Sequence, residues 1–138
     1  MYLIDTNVIS EARKGQRADV GVQNFFRHLI DEGKPAYLSV ITIGELRRGI
    51  ERIRHRNDIA QAEQLEQWFQ TILREYQDHI LELDADAAQL WGKLRVPNPE
   101  NELDKLIAAT ALVYDLTLVT RNVSDFRGTG VKLLNPFV

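Results

Sequence analysis

Residues 36–53 read Ala36-Tyr37-Leu38-Ser39-Val40-Ile41-Thr42-Ile43-Gly44-Glu45-Leu46-Arg47-Arg48-Gly49-Ile50-Glu51-Arg52-Ile53, and the fold turns on where the apolar period changes within them. The first six residues are short, apolar and partly β-branched, which predicts a buried strand over residues 36–41. From there Ile43, Leu46, Ile50 and Ile53 recur three and four apart, the stripe of an amphipathic helix. A strand feeding a helix in this way is half of a crossover unit, and the same switch repeats on both sides. Toward the N-terminus, Tyr2-Leu3-Ile4 reads as another buried strand. Toward the C-terminus, a long stripe runs through Ile59, Ala62, Leu65, Trp68 with Phe69, Ile72 and Tyr76. Residues 79–83, 116–120 and 131–134 then predict three more strands. Helical stripes at Ala87, Leu90, Trp91 and Leu94, and at Leu103, Ile107, Ala111 and Tyr114, fall between them. Pro97 and Pro99 stop the helix that begins near Asp84 or Asp86, Glu100 or Asn101 opens the next, and Gly128 and Gly130 punctuate the approach to the last strand. Strands alternating with helices are parallel strands joined by crossovers. The expected fold is therefore α/β: one three-layer α/β/α domain over residues 1–138, around a central parallel sheet of four to five strands.

Composition narrows the chemistry. The chain has 138 residues, no cysteine, and 17 Lys and Arg against 20 Asp and Glu, a net charge of −3. That length buries roughly 68% of the unfolded chain's surface in one core. Without cysteine there is no disulfide, thiolate-bound zinc, iron–sulfur cluster or thiol nucleophile. The opening Met1-Tyr2-Leu3-Ile4-Asp5 has no basic segment or long apolar stretch of a secretory signal. The uncharged run from Leu106 to Tyr114 is far short of the ~20 residues that cross a bilayer. The expectation is a soluble, cytoplasmic protein with no membrane partner.

In an open parallel sheet, ligands bind beyond the carboxyl ends of the strands. Asp5-Thr6-Asn7 follows the first expected strand, and Thr42 to Glu45 follows the second, with Glu45 expected in the first helical turn. Thr120-Arg121-Asn122 follows the fourth strand, with Asp125 three residues on, and Asp104 opens the helix that feeds it. Each acid has an ordinary structural role open to it. Asp5 suits a helix N-cap, Thr42-x-x-Glu45 a capping box, Asp104 the positive end of a helix and Asp125 an Asx-turn. All four at one edge repel one another unless a cation sits among them. Carboxylate oxygens with no cysteine or nearby histidine suit Mg²⁺ or Mn²⁺.

Read in order, these residues resemble the PIN-domain nucleases, and within them the VapC-type toxins of bacterial toxin–antitoxin pairs. The resemblance is carried by Leu3-Ile4-Asp5-Thr6-Asn7, by Ser39-Val40-Ile41-Thr42-Ile43-Gly44-Glu45-Leu46 and by Asp104-Lys105-Leu106-Ile107-Ala108-Ala109-Thr110-Ala111. It continues through Leu118-Val119-Thr120-Arg121-Asn122-Val123-Ser124-Asp125-Phe126 and the ending Gly128 to Phe137. It implies an endoribonuclease that uses Mg²⁺, with Mn²⁺ as a substitute, and a small VapB-like antitoxin as partner. It also implies a homodimer. Asp5, Glu45 and Asp104 match the family's three most regular acidic positions. Asp125 is taken as the fourth, with Asn122 beside it as a polar helper, and Thr6 and Thr120 match hydroxyl positions that orient carboxylates or water. His28, His55 and His79 match none of these positions, which disfavours histidine acid–base cleavage.

Residues 45–56 carry five arginines against two glutamates. A solvated helix face accounts for such a run; the functional alternative is that Arg47, Arg48 and Arg52, with Lys105 and Arg121 beside the motifs, grip RNA phosphates. Two other assignments compete. A receiver-type phosphoacceptor domain needs an acceptor Asp after the third strand and a Lys after the fifth, where this chain has Asp84 and Asn135-Pro136. A PIN-fold binding module, working in a DNA-bound complex with little catalysis, would share every motif. No Gly-x-Gly-x-x-Gly or Gly-x-x-x-x-Gly-Lys supports a nucleotide-cofactor fold. Setting the four clustered acids aside leaves sixteen acids against seventeen bases. The net negative charge therefore does not exclude RNA.

Overall fold

The computed structural model describes residues 1–138. Five parallel strands form the sheet: β1 (Tyr2–Ile4), β2 (Ala36–Ser39), β3 (Ile80–Leu81), β4 (Thr117–Val119) and β5 (Leu133–Leu134), in the order β3-β2-β1-β4-β5. The helices are α1 (Thr6–Ala12), α2 (Val20–Glu32), α3 (Val40–His55), α4 (Ile59–Glu75), α5 (Ala85–Leu94) and α6 (Glu102–Val113). From central β1 the chain winds outward to β2 and β3, then crosses back to β4 and β5. The winding reverses between β1 and β4, and a crevice opens beyond strand ends at such a point. Leu3 pairs in register with Leu118, and Ile4 with Val119, so Asp5 and Thr120 emerge side by side.

Alternation along the strands builds the two outer layers. Ile4, Leu38 and Val119 face one side, packing with Val8, Val22, Leu46, Ile50 and Phe69 of α1 to α4. Leu3 and Leu118 face the other, against Ile107, Ala108, Ala111 and Phe126. The three-layer α/β architecture matches the expectation, with five strands. No helix is long and apolar enough to cross a membrane.

Several local expectations shift. The strand expected over residues 36–41 ends at Ser39, whose hydroxyl accepts the Ile41 N–H at 3.0 Å and caps α3. A Ser N-cap overrides the β preference of Val40 and Ile41 here. Glu45 consequently stands in the second turn of α3 rather than the first, so the Thr42–Glu45 capping box does not form. The strands expected at 79–83, 116–120 and 131–134 are shorter, keeping only the residues that pair.

Helix α2 was not expected, because Val20, Gly21 and Val22 are poor helix formers. Its ends are nonetheless well specified. Asp19 accepts the N–H groups of Gly21 and Val22 at 2.8 and 3.2 Å, and Gly33 stops the helix with a left-handed φ of 62°. Gly21 itself is required: a Cβ there would lie 2.0 Å from the Pro136 carbonyl oxygen. The C-terminal segment thus docks on the start of α2, where Asp19 also accepts the Val138 N–H at 3.2 Å.

Helices α3 and α4 are joined by charge as well as packing. Arg47 donates to both oxygens of Glu66, at 2.7 and 2.9 Å, and lies 4.9 Å above the Phe69 ring. Its guanidinium, helped by Gln70 and Arg54, holds the Glu66 carboxyl down at about 2.

Candidate acidic site at the strand ends

Asp5 is the fixed point of the site. It is 3% exposed and begins where β1 ends. One carboxylate oxygen accepts the Thr6 N–H at 2.8 Å and caps α1. The other accepts the Thr120 hydroxyl at 2.7 Å and the Asn7 amide at 3.2 Å. The capping role and a place in the site therefore coexist in one side chain. Burial pushes its carboxyl up; the hydrogen bonds from Thr120 and Thr6 oppose this, and the nearby Glu45 charge adds to it.

Glu45 arrives from α3. Its carboxylate accepts the Thr6 hydroxyl at 2.6 Å, while the buried Thr42 hydroxyl stands 3.2 Å from the same Thr6 oxygen. Thr6 thus ties the start of α1 to the second turn of α3. Asp104 comes from the first turn of α6 and Asp125 from the short 3-10 turn Val123–Phe126. The Asp104 carboxyl is raised to about 6, first by burial and then by the charges of Asp5, Asp125 and Glu45. The four acids therefore share one electrostatic neighbourhood, although they come from four separate stretches of sequence.

As the side chains stand, no three acids close on a common point tightly enough to grip an ion. Asp5 is held by Thr6, Thr120 and Asn7 and Glu45 by the Thr6 hydroxyl, while the partly exposed Asp104 and Asp125 carboxylates make no hydrogen bond. The donor set fits a hard divalent cation: oxygen donors only, crowded enough that like-charge repulsion is felt at Asp104.

The hydroxyl and amide positions sort clearly. Thr6 and Thr120 both contact site carboxylates. Asn122 leaves its side chain exposed, and its N–H donates to the Thr120 hydroxyl at 3.0 Å. Asn7 is a member that motif matching left unassigned. Its amide reaches Asp5 and, at 3.3 Å, the Thr120 hydroxyl, and its carbonyl accepts the Arg121 N–H at 3.1 Å. The signal available was its place two residues after Asp5, at the end of the central strand.

The basic positions divide. Arg48 and Arg52 are exposed on α3, and Arg121 is exposed beside Thr120, over the Phe137 ring at 4.8 Å. Arg47 is held by Glu51 and Glu66. Lys105 is buried, with its ammonium on the Asn98 carbonyl.

The raised Asp104 carboxyl has a measurable consequence. A carboxyl at about 6 in the folded protein against 3.8 ordinarily means that the folded state holds the extra proton between those values. Stability of the metal-free protein then falls as pH rises from about 4 to 6 and levels off above. Allowing for solvent screening at this partly exposed side chain, the fall is on the order of 1 kcal/mol. Urea midpoints in EDTA at pH 4.5 and 7.0 should show it, and Asp104→Asn should flatten it; equal slopes in both proteins would refute the crowding.

Comparison with known proteins follows the same pattern. The PIN domain family profile matches residues 2–131. Toxin FitB of Neisseria gonorrhoeae is 32% identical over 143 residues, covering 99% of both chains. A VapC ribonuclease of Sinorhizobium fredii is 30% identical, covering 99% of this chain and 98% of its own. Among solved structures, FitAcB from Neisseria gonorrhoeae superposes with a TM-score of 0.80 at 33% identity, covering 99% of this chain and 98% of its own. A toxin–antitoxin complex from Klebsiella pneumoniae gives 0.71 at 25% identity, covering 99% and 98%.

Proposed function

The chain belongs to the PIN-domain family, and from that premise we propose that it is a divalent-metal-dependent endoribonuclease, the toxin of a toxin–antitoxin pair. The observation that carries this is the convergence of Asp5, Glu45, Asp104 and Asp125 at the reversal point of the sheet. Relatives bearing the names toxin and ribonuclease along nearly their whole length support it.

Asp5, Glu45, Asp104 and Asp125 would hold the metal. When bound, Mg²⁺ or Mn²⁺ neutralises phosphate charge, lowers the pKa of water and stabilises the leaving oxygen. The chain's own work is positioning. Thr120 and Asn7 hold Asp5 in place. Thr6 aims Glu45 at the same opening. Four carboxylates alone repel a phosphodiester, and Arg48 and Arg52 offset this from about 4.5 and 10.5 Å further along α3. Arg121 does the same from the end of β4. Hydrolysis in this manner leaves a 5′-phosphate on the downstream product. A small antitoxin that restrains the nuclease, a homodimeric assembly and a cytoplasmic site of action belong to the same reading.

The test is purified protein with mixed cellular RNA, in Mg²⁺ or in EDTA, followed by sequencing of new 5′ ends. Discrete ends in Mg²⁺ and none in EDTA are expected. Ends that persist in EDTA overturn the metal-dependent mechanism.

A further inference from the structure

Next to the cluster of four acids, and sharing Asp125 with it, lies a recess of about 260 Å³. Its wall is almost wholly polar, with Asn98, Glu100, Asn101, Lys105, Asp125 and Arg127 contributing. Sites for drug-sized molecules begin near roughly 300 Å³, so this one suits a single small polar group. The loop after α5, the first turn of α6 and the segment following β4 enclose it.

Lys105 is the reason to assign it a ligand. The residue is only 6% exposed, and its ammonium has one hydrogen-bond partner, the Asn98 carbonyl. An ammonium carries three N–H donors, and although Glu100 and Asp125 line the same recess, neither carboxylate pairs with this one, so two donors are left open. Neighbours on a helix point about 100° apart, so Lys105 is turned away from Asp104 and lines the recess, together with Asp125. An incoming group rich in acceptors would complete it. The side-chain amides of Asn98 and Asn101 each offer a donor and an acceptor, the complement of a nucleobase edge.

We propose that this recess is a nucleotide subsite, which holds the base of one nucleotide flanking the scissile phosphate and thereby selects where RNA is cut. Lys105 donates to a base carbonyl or ring nitrogen, and Asn98 and Asn101 read the remaining edge. This rests on the ribonuclease reading, because Asp125 belongs to both the recess and the proposed metal site.

The experiment has two arms. In the first, wild type and Lys105→Met cut RNA of randomised sequence, and base frequencies are counted at each position around the cut. Wild type should favour one base about tenfold at one flanking position, and Lys105→Met should level that position alone. No preference in wild type, or an unchanged preference in the variant, overturns the subsite while cleavage itself stands. Asn101→Gly is the second variant. It keeps the left-handed backbone at φ 57° and removes the amide, so it covers the case in which Lys105→Met fails to fold. In the second arm, the four nucleoside 5′-monophosphates and inorganic phosphate are titrated into wild type in EDTA, followed by amide NMR. Shifts at Asn98, Ser124 and Gly128 that favour one nucleotide, and are lost in Asn101→Gly, support the subsite even if no RNA is cut. No shifts, or equal shifts with inorganic phosphate, overturn it.

Discussion

Asp5→Asn is expected to lower RNA cleavage by about a thousandfold and to leave the fold intact. A bound cation contributes several kcal/mol of transition-state charge stabilisation, and about 4 kcal/mol corresponds to that factor. Asp5 is the substitution of choice because it is the most firmly held of the four acids, by Thr6, Thr120 and Asn7, where Glu45 has the Thr6 hydroxyl alone. Asparagine has the same shape, but its one oxygen keeps either the Thr120 hydroxyl or the Thr6 N–H, so about 1 kcal/mol of hydrogen bonding or capping is lost. Removing the charge also relieves repulsion with Glu45, so the melting temperature should stay within a few degrees of wild type by circular dichroism. Initial rates on a fluorescent RNA give the other measurement. A variant that is folded and cuts within tenfold of wild type would remove Asp5 from the chemistry.

Gly21→Ala should be the most disruptive single-methyl change in the protein. The added carbon would meet the Pro136 carbonyl oxygen at 2.0 Å, and a backbone oxygen cannot swing aside as a side-chain tip can. The C-terminal segment must lift, taking Phe137 from the Ile4–Val8 side of the core and undoing the Asp19–Val138 hydrogen bond. Overpacking of this kind costs about 2–3 kcal/mol, which lowers the melting temperature by about 10 °C. Gly44→Ala supplies the control. It adds the same methyl in mid-helix with nothing within 4 Å, and should stabilise the protein by about 0.5–1 kcal/mol. Equal melting temperatures for the two variants would refute the role given to Gly21. Because Phe137 lies under the Arg121 guanidinium, Gly21→Ala should also loosen that arginine.

The architecture could be read from period alone, because each crossover helix buries a continuous apolar stripe and each central strand an uninterrupted apolar run. Where periodicity met local hydrogen bonding, the hydrogen bond won. Ser39 stopped β2 and displaced Glu45 by a turn, an outcome that depends on one hydroxyl and not on hydropathy. Helix α2 was hidden because its first residues are poor helix formers; its stability comes from Asp19 and from burying Val22 and Leu29. Motif order pointed to four acids, which the fold gathers into one electrostatic neighbourhood, and to two threonines that contact Asp5 and Glu45. It could not separate the basic residues, since nothing in the sequence pairs Arg47 with Glu66 nineteen positions away or turns Lys105 inward. Those distinctions arise only when α4 lies against α3 and the loop before α6 folds over the amine.

The hydrogen bond between Asp5 and Thr120 spans 115 positions of the chain. During synthesis, the first hundred residues can fold locally into β1, β2 and the helices around them, but they contain neither Asp104 nor Asp125. The strand beside β1 that leads to Thr120 leaves the ribosome later still. Long-range pairing of this kind is also slow, because loop closure comes before the contacts that reward it. Through most of its translation a growing chain therefore lacks the Asp5–Thr120 contact and two of the four clustered acids. If the protein attacks RNA as proposed, that ordering shields the message and the ribosome producing it until the acids have come together.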